Sequence, residues 1–439
     1  MAKLDLLLTN QTLQKIYFIV VVSSLSAVLY LRDVQGLAVS KFLILGVVVI
    51  YALLADYQHL MMMTAFTLPL IPGLPGNYIL PILSVLIVFK GREKTKVPRM
   101  VFGLLVLVAV YEMLHILFLS STFALSPIIG YISSLFLLFY IGGTVDVEAD
   151  DSKNALWFCL GTVVLFIILM ISFNQFAGAD FVESGVRLGD VSELTGDDTM
   201  VLGTNPNNIG LYSIAAISIS FTLWYYKRIT FWILLLIIIP SFLGGVYCVS
   251  RTWMLTMVLF VFLFIVMRKG KRKLSSILVL LVAVLGIYMF FTSVNTSLFE
   301  AYTTRFHGDD GTAGNRTTLF TLYNDWMFSH PWALFCGTGA LPYREVTSLF
   351  ESTHNAMQQV FISYGIPGLL LFCYLLYRCI QKWRVPHEWT VYIPILTIGF
   401  FLQSTQFLNP PYCSFPLVAS FFILKMFKRE TAYTTFRTM

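Results

Sequence analysis

Fourteen long apolar runs recur along this chain, at about 14–31, 37–55, 59–73, 77–90, 98–120, 123–142, 155–174, 207–226, 229–248, 252–267, 274–292, 356–378, 388–404 and 413–427. Roughly 20 apolar residues carry an α-helix across the hydrocarbon core of a bilayer, so each run is close to span length. The runs are continuous rather than alternating, which excludes the period-two pattern of a lipid-facing barrel. Of 439 residues, 57% are hydrophobic and only 12% charged. A soluble chain carries about 25% charged residues, so a water-soluble globule is excluded as well. The chain reads as an all-α polytopic integral membrane protein with about 14 transmembrane helices, forming one membrane domain over 1–439. The range is 12–14, because the third run is short and interrupted by Pro69 and Pro72. Lys3 and Lys15 precede the first run without a small-residue cleavage site, so an uncleaved span is expected there. Six cysteines fall mostly inside apolar runs and form no CxxC pair, which points to packing rather than zinc or disulfides.

The net charge of +6 reflects topology. Lys90, Arg92, Lys94, Lys96 and Arg99 lie between the fourth and fifth runs, and Arg268, Lys269, Lys271, Arg272 and Lys273 between the tenth and eleventh. With fourteen spans these clusters share one face with Lys227, Arg228, Arg378, Lys382, Arg384, Lys425, Lys428 and Arg429. By the positive-inside rule that face is cytoplasmic and both termini lie on it. Seven of the 29 Lys and Arg residues fall outside: Arg32, Lys41, Arg187, Arg251, Arg305, Arg316 and Arg344. Five of these, all arginines, sit in or beside two long outer segments, 175–206 and 293–353. Long loops on a rigid scaffold are where function concentrates. The acidic stretch 145–153 reads as a solvated cytoplasmic loop.

The first outer loop returns to the membrane through Asn205, Pro206 and Asn207, residues suited to capping a helix start. Arg187 lies close to Gly185 and Gly189 and is free to approach an anion. Arg251 follows Ser250 at the outer end of the tenth run. A cation at a helix N-terminus opposes the macrodipole, so either a bound anion or a carboxylate partner should offset it. In the second loop Leu319, Leu322, Tyr323 and Trp326 recur at helical spacing after Asn315, predicting an amphipathic helix at the membrane interface. No nucleotide fingerprint occurs among the loop glycines. His354 and Asn355 stand where this loop becomes the twelfth span. An imidazole there is either a helix cap or, beside several guanidiniums, a proton acceptor next to a phosphate pocket.

Over about Asn205 to Gly368 the sequence resembles the superfamily of O-antigen ligases and Wzy-type O-antigen and capsular polysaccharide polymerases. The resemblance rests on NPNNIG at 205–210, SRTWML at 250–255, GNRTTLFTLYNDWMFSHPWALFCGTG at 314–339 and STHNAMQQVFISYGIPGLLL at 352–371. It implies a GT-C-like membrane glycosyltransferase that moves a glycan from undecaprenyl diphosphate to an acceptor glycan, outside the bacterial cytoplasmic (inner) membrane. It further implies Arg187 and Arg251 as diphosphate ligands, His354 as the base for the acceptor hydroxyl, and Arg316 as a third ligand. Asp190, Glu193, Asp197 and Asp198 after Arg187 depart from the family pattern. Further sugar or acceptor contacts are expected from Asn355, Arg305, Trp326 and Tyr343, although the aromatics serve equally as interface anchors.

Two or more arginine forks match phosphate geometry without a metal, so no cofactor and no obligatory divalent ion is expected, with Asp309 and Asp310 as the only metal alternative. The expected partners are donor and acceptor lipid-linked oligosaccharides, membrane lipids and a chain-length regulator, and no nucleic acid. The leading expectation is a polymerase of lipid-linked repeat units. The alternatives are a ligase placing O-antigen on lipid A core, or a lipid-linked oligosaccharide flippase. A transporter would need ionisable groups inside its spans, for which Glu112 with His115 is the main candidate.

Overall fold

The computed structural model describes residues 10–91, 99–120, 125–143, 150–177, 187–189, 205–267, 296–307, 316–349, 352–385, 388–405, 407–408 and 411–437. Outside them lie the eleventh run, the basic residues 92–98 and 268–273, most of the first outer loop with its four acids, and Asp309 and Asp310. All regular structure among the described residues is helical. The first ten helices are α1 (Gln11–Asp33), α2 (Lys41–Leu54), α3 (Tyr57–Thr67), α4 (Gly76–Gly91), α5 (Arg99–Leu119), α6 (Leu125–Gly143), α7 (Asp151–Ala177), α8 (Pro206–Tyr225), α9 (Phe231–Tyr247) and α10 (Arg251–Met267). The outer loop then folds as α11 (Thr296–His307), α12 (Arg316–Ser329), α13 (Pro331–Cys336) and α14 (Tyr343–Thr347). The chain closes with α15 (Ala356–Lys382), α16 (Ile393–Leu402) and α17 (Phe415–Arg437).

Five helical segments are long and apolar enough to cross a bilayer: Gln11–Asp33, Phe102–Leu119, Leu125–Gly143, Asp151–Gln175 and Ala356–Lys382. Others are shorter apolar helices, so the chain is a polytopic membrane protein whose described helices do not by themselves count out fourteen spans. The third run illustrates how a short segment still traverses the bundle. At one end Gln58 Oε1 accepts the Asp150 N–H at 2.6 Å. At the other, the 3-10 turn Leu68–Gly73 that continues α3 offers the Gly73 carbonyl to Arg32 at 2.7 Å. Pro69 and Pro72 fall in that turn, where the tighter winding tolerates them.

The centre of the bundle is α8, in which every residue from Asn208 to Ser220 is buried. Its sequence is rich in Ser, Ala and Gly because hydrophobicity cannot drive helices together inside lipid, whereas small side chains let backbones approach. Trp253 Nε1 on α10 donates to Ser213 Oγ on α8 at 2.9 Å, and that hydroxyl donates to the Ser241 carbonyl on α9 at 2.6 Å. Helix α7 packs on α3, α8, α9 and α17, while α5 presents Phe102, Leu107 and Phe118 outward as a lipid face.

Contacts sort the helix ends into two poles. One pole holds Lys90, whose Nζ donates to the Ala52 and Leu53 carbonyls at 2.8 and 2.9 Å, and Lys382, whose Nζ donates to the Gly143 carbonyl. Cations there neutralise exposed helix C-termini. The other pole holds Arg32, Arg187, Arg251, Arg316 and His354, together with the starts of α8, α10, α12 and α15. Arg32 is not part of a ligand site: it forks onto its neighbour Asp33 at 3.0 and 2.7 Å, with both side chains almost fully buried.

Candidate active site

The α9–α10 turn is the hub of the arginine pole. Ser250 is the N-cap of α10, its Oγ accepting the Trp253 N–H at 3.4 Å and donating to Asn207 Oδ1 at 3.0 Å. Arg251 is thereby fixed as the first residue of α10, as its position in SRTWML predicts. Val249, one residue before the cap, has φ 44°, a left-handed conformation that a β-branched residue adopts only where its surroundings force it. Strain of this kind concentrates at functional turns.

Three segments of the two long loops converge on this turn. The Leu188 N–H donates to the Tyr247 carbonyl at 3.0 Å, seating Arg187 against the end of α9. Leu188 itself is fully buried, and that anchor holds 187–189 in place. Tyr302 of α11 donates its hydroxyl to the Val246 carbonyl at 2.9 Å. Arg305 lies one turn further along α11, and its side chain is outside the described atoms. Arg316, the first residue of α12, donates from Nη1 to Thr252 Oγ1 at 3.0 Å. Burial, and after it the charge of Arg251, pulls the Arg316 guanidinium down from its ordinary value. Arg316 is thus held against the first turn of α10, which Arg251 opens, and two guanidiniums at a helix N-terminus make a concentration of positive charge suited to an anion.

His354 stands at a second rim, the entrance to α15. It precedes α15 with φ 48°, again left-handed, and its Nε2 lies 3.4 Å from Ser352 Oγ. Asn355 is the N-cap of α15, accepting the Gln358 N–H at 2.9 Å while its amide donates to the Gln403 carbonyl at 3.0 Å. The capping role accounts for Asn355, as it does for Asn205, whose Oδ1 accepts the Asn207 N–H at 2.9 Å. The segment after α16 connects the two rims. Thr405 donates to Asn208 Oδ1 on α8 at 3.1 Å, and Gln359 Oε1 on α15 accepts the Phe407 and Leu408 N–H groups at 2.8 and 2.7 Å. Gln358 adds a direct tie, donating from Nε2 to the Phe320 carbonyl of α12 at 2.8 Å. His354 and Arg316 therefore begin two helices that are bolted to each other.

Two expected sugar contacts are placed differently. Tyr343 is fully buried, its ring 6.1 Å from that of Tyr323, in a small core with Met327, Ala333 and Ile362. It is a packing residue of the loop and not an exposed stacking platform, because its position one step after Pro342 turns it inward. Trp326 stacks on His330 with centroids 4.3 Å apart and planes at 17°. The apolar stripe of α12 is also corrected: Leu319, Tyr323 and Met327 are buried, whereas Leu322 is 45% exposed. Phe320, Phe328, Trp332 and Phe335 are exposed beside it, so this part of the loop has one apolar face on the protein and another turned outward.

Sequence reasoning did not find the polar residues Thr252 under Arg316 and Gln358 and Gln359 behind His354, and it read Asn207 as part of a helix entrance without its bond to Ser250. Two consecutive glutamines inside an apolar helix were the available signal for the last pair.

No curated protein matches the chain. Residues 236–373 match the Wzy_C family model, described as O-antigen ligase. That span runs from within α9 into α15 and contains Arg251, Arg305, Arg316, His354 and Asn355, while Arg187 lies before it. Over those residues the chain is similar to the O-antigen ligase family, in line with the resemblance read from the sequence.

Proposed function

We propose that this protein is a membrane glycosyltransferase that polymerises undecaprenyl-diphosphate-linked repeat units into a surface polysaccharide at the outer face of the bacterial cytoplasmic membrane. The observation carrying this reading is the placement of Arg251 and Arg316 together at the start of α10, on a helix pair tied to the helix whose entrance holds His354. In this mechanism an acceptor hydroxyl oxygen bonds to the anomeric carbon of the donor glycan as the bond from that carbon to the diphosphate oxygen breaks. The hydroxyl proton passes to the His354 imidazole. The electron pair leaves on undecaprenyl diphosphate, where the Arg251 and Arg316 forks, with Arg187 beside them, meet the charge as it develops. No group on this path needs to leave the outer pole.

Ligation to a lipid A core is a second reading, favoured by the description of the matched family. Both reactions release the same diphosphate, so the acceptor decides between them. A flippase is less well supported, because Glu112, the main charge it would have used, binds backbone amides of the outer loop.

The test is reconstitution of the purified protein in liposomes with a lipid-linked repeat unit, analysed for a polymer ladder. Wild-type protein should give the ladder, and His354→Ala should give none at equal protein level. A normal ladder from His354→Ala would remove the base and the mechanism with it. Transfer to lipid A core without self-polymerisation would reassign the protein as a ligase.

A further inference from the structure

Helix α15 is broken. Gly365 has φ 64° and ψ −168°, so the first half, 356–364, is separate from the second, 366–382. A break exposes the carbonyls of the preceding turn, and inside a bilayer such groups must find partners in the protein. The partners come from the outer loop. Thr338 donates its N–H to the Ile362 carbonyl at 2.9 Å and its hydroxyl to the same oxygen at 3.1 Å. Gly339 N–H donates to the Ser363 carbonyl at 2.9 Å, and the Tyr111 hydroxyl on α5 reaches that oxygen at 3.0 Å. The approach is so close that a Cβ at Gly337 would stand 2.3 Å from the Ser363 oxygen.

The next two residues of the loop are held from below. Glu112 on α5 is fully buried, and its carboxylate accepts the Ala340 N–H at 2.9 and 3.2 Å and the Leu341 N–H at 3.4 Å. Tyr364, beside the break, hydrogen-bonds the same carboxylate, and Tyr131 of α6 reaches the Tyr364 hydroxyl. Glu112 lies seven residues before the end of α5, so the loop descends about 10 Å below that end to meet it. A second contact, from Ser120 Oγ to Glu345 at 2.7 Å, holds the loop at the end of α5.

We propose that Glu112 is a positioning residue for the outer site: by gripping the Ala340–Leu341 backbone it fixes the loop that caps the broken helix, and so fixes the half-helix whose entrance holds His354. This rests on the functional reading above for its kinetic consequence, but not for its structural one. Arg251 and Arg316 are held chiefly to each other's helices through the bond from Arg316 to Thr252, and the single tie from Gln358 to the Phe320 carbonyl reaches α12 from this chain of contacts. Loss of the grip should therefore displace the base more than the diphosphate ligands.

Cys336 supplies a native reporter. It is exposed, whereas Cys373 is half-buried and the other four cysteines are buried, and its carbonyl accepts the Tyr111 hydroxyl. The full-length protein would be reconstituted as wild type, Glu112→Gln, Glu112→Ala, Tyr111→Phe and His354→Ala. Maleimide labelling of Cys336 and donor-dependent turnover would be measured on each. Labelling should accelerate in the order Tyr111→Phe, Glu112→Gln, Glu112→Ala. The kcat should fall in the same order, reaching about tenfold or more in Glu112→Ala, because small misplacements of a reacting group are costly. The KM for the lipid-linked donor should stay within about twofold, whereas a general loss of structure would lower the active fraction without this graded labelling. Unchanged labelling in Glu112→Ala, or in Glu112→Gln if the alanine variant does not accumulate, would show that no grip exists. Faster labelling with full kcat would show that the grip does not position the base. Full turnover by His354→Ala would defeat the functional reading separately, leaving the labelling series to judge the grip.

Discussion

Replacing Arg251 with lysine keeps the charge at the start of α10 and removes the planar fork. A fork meeting a diphosphate makes two charge-assisted hydrogen bonds, and an ammonium on a flexible stem keeps roughly one. A lost bond to a charged group costs about 1.5–3 kcal/mol, which corresponds to about a 10- to 150-fold fall in kcat/KM. Arg316→Lys should cost more. Besides its fork it loses the 3.0 Å bond from Nη1 to Thr252 Oγ1 that holds it against α10, about 1 kcal/mol further. Because Arg316 bonds Thr252, the residue that follows Arg251 on α10, the two side chains share one end of that helix and should bind one ligand. The double variant should therefore fall short of the sum of the single losses by about 0.5–3 kcal/mol. The assay is the initial rate of polymer formation by reconstituted protein across a range of lipid-linked donor concentrations, with protein amount fixed by fluorescence. Turnover of Arg251→Lys within twofold of wild type, or strict additivity in the double variant, would refute a shared diphosphate site.

Two further expectations concern stability. Asp33→Ala leaves the buried Arg32 guanidinium without its carboxylate and should cost about 3–5 kcal/mol, lowering the apparent Tm in detergent, while Arg32→Met with Asp33→Leu should recover most of the loss. An unchanged Tm in Asp33→Ala would contradict the burial of the pair. Gly365→Ala places a Cβ 2.5 Å from the Leu334 carbonyl at a positive φ and should cost at least about 1–3 kcal/mol, visible as a reduced monodisperse peak in size-exclusion chromatography. Normal yield and Tm would argue against the break in α15.

The elements legible in the sequence are those set by local chemistry. Apolar runs give the helices, Asn205 and Asn355 announce helix starts through their capping oxygens, and the serine before Arg251 marks the start of α10. The gathering of arginines at one pole follows from counting spans, because alternate runs must begin on the same face. What escaped the sequence depends on partners without a sequence signature. Glu112 binds backbone N–H groups 228 and 229 residues away, and any residue but proline offers one. Helical spacing grouped Leu322 with Leu319 and Tyr323, but α12 meets the bundle on one side and leaves its other side, with Leu322, open. Which side is buried is decided by α13 and α15, not by α12 itself. Arg32 was grouped with the outer arginines by position, and only the structure shows its adjacent carboxylate folded back onto it.

The lysines and the tryptophan that close helix ends at the pole opposite His354 carry a consequence for biogenesis. Lys90 and Lys382 donate to terminal carbonyls of α2 and α6, and Trp383 Nε1 donates to Gly142. A cation retained by the insertion machinery on the near side of the bilayer would thus become, once neighbouring hairpins pack, the stopper on a different helix. Orientation and closure are then encoded by the same ammonium groups. A hairpin inserted upside down would lack its plugs as well as its polarity, and such a chain would meet quality control with unsealed ends.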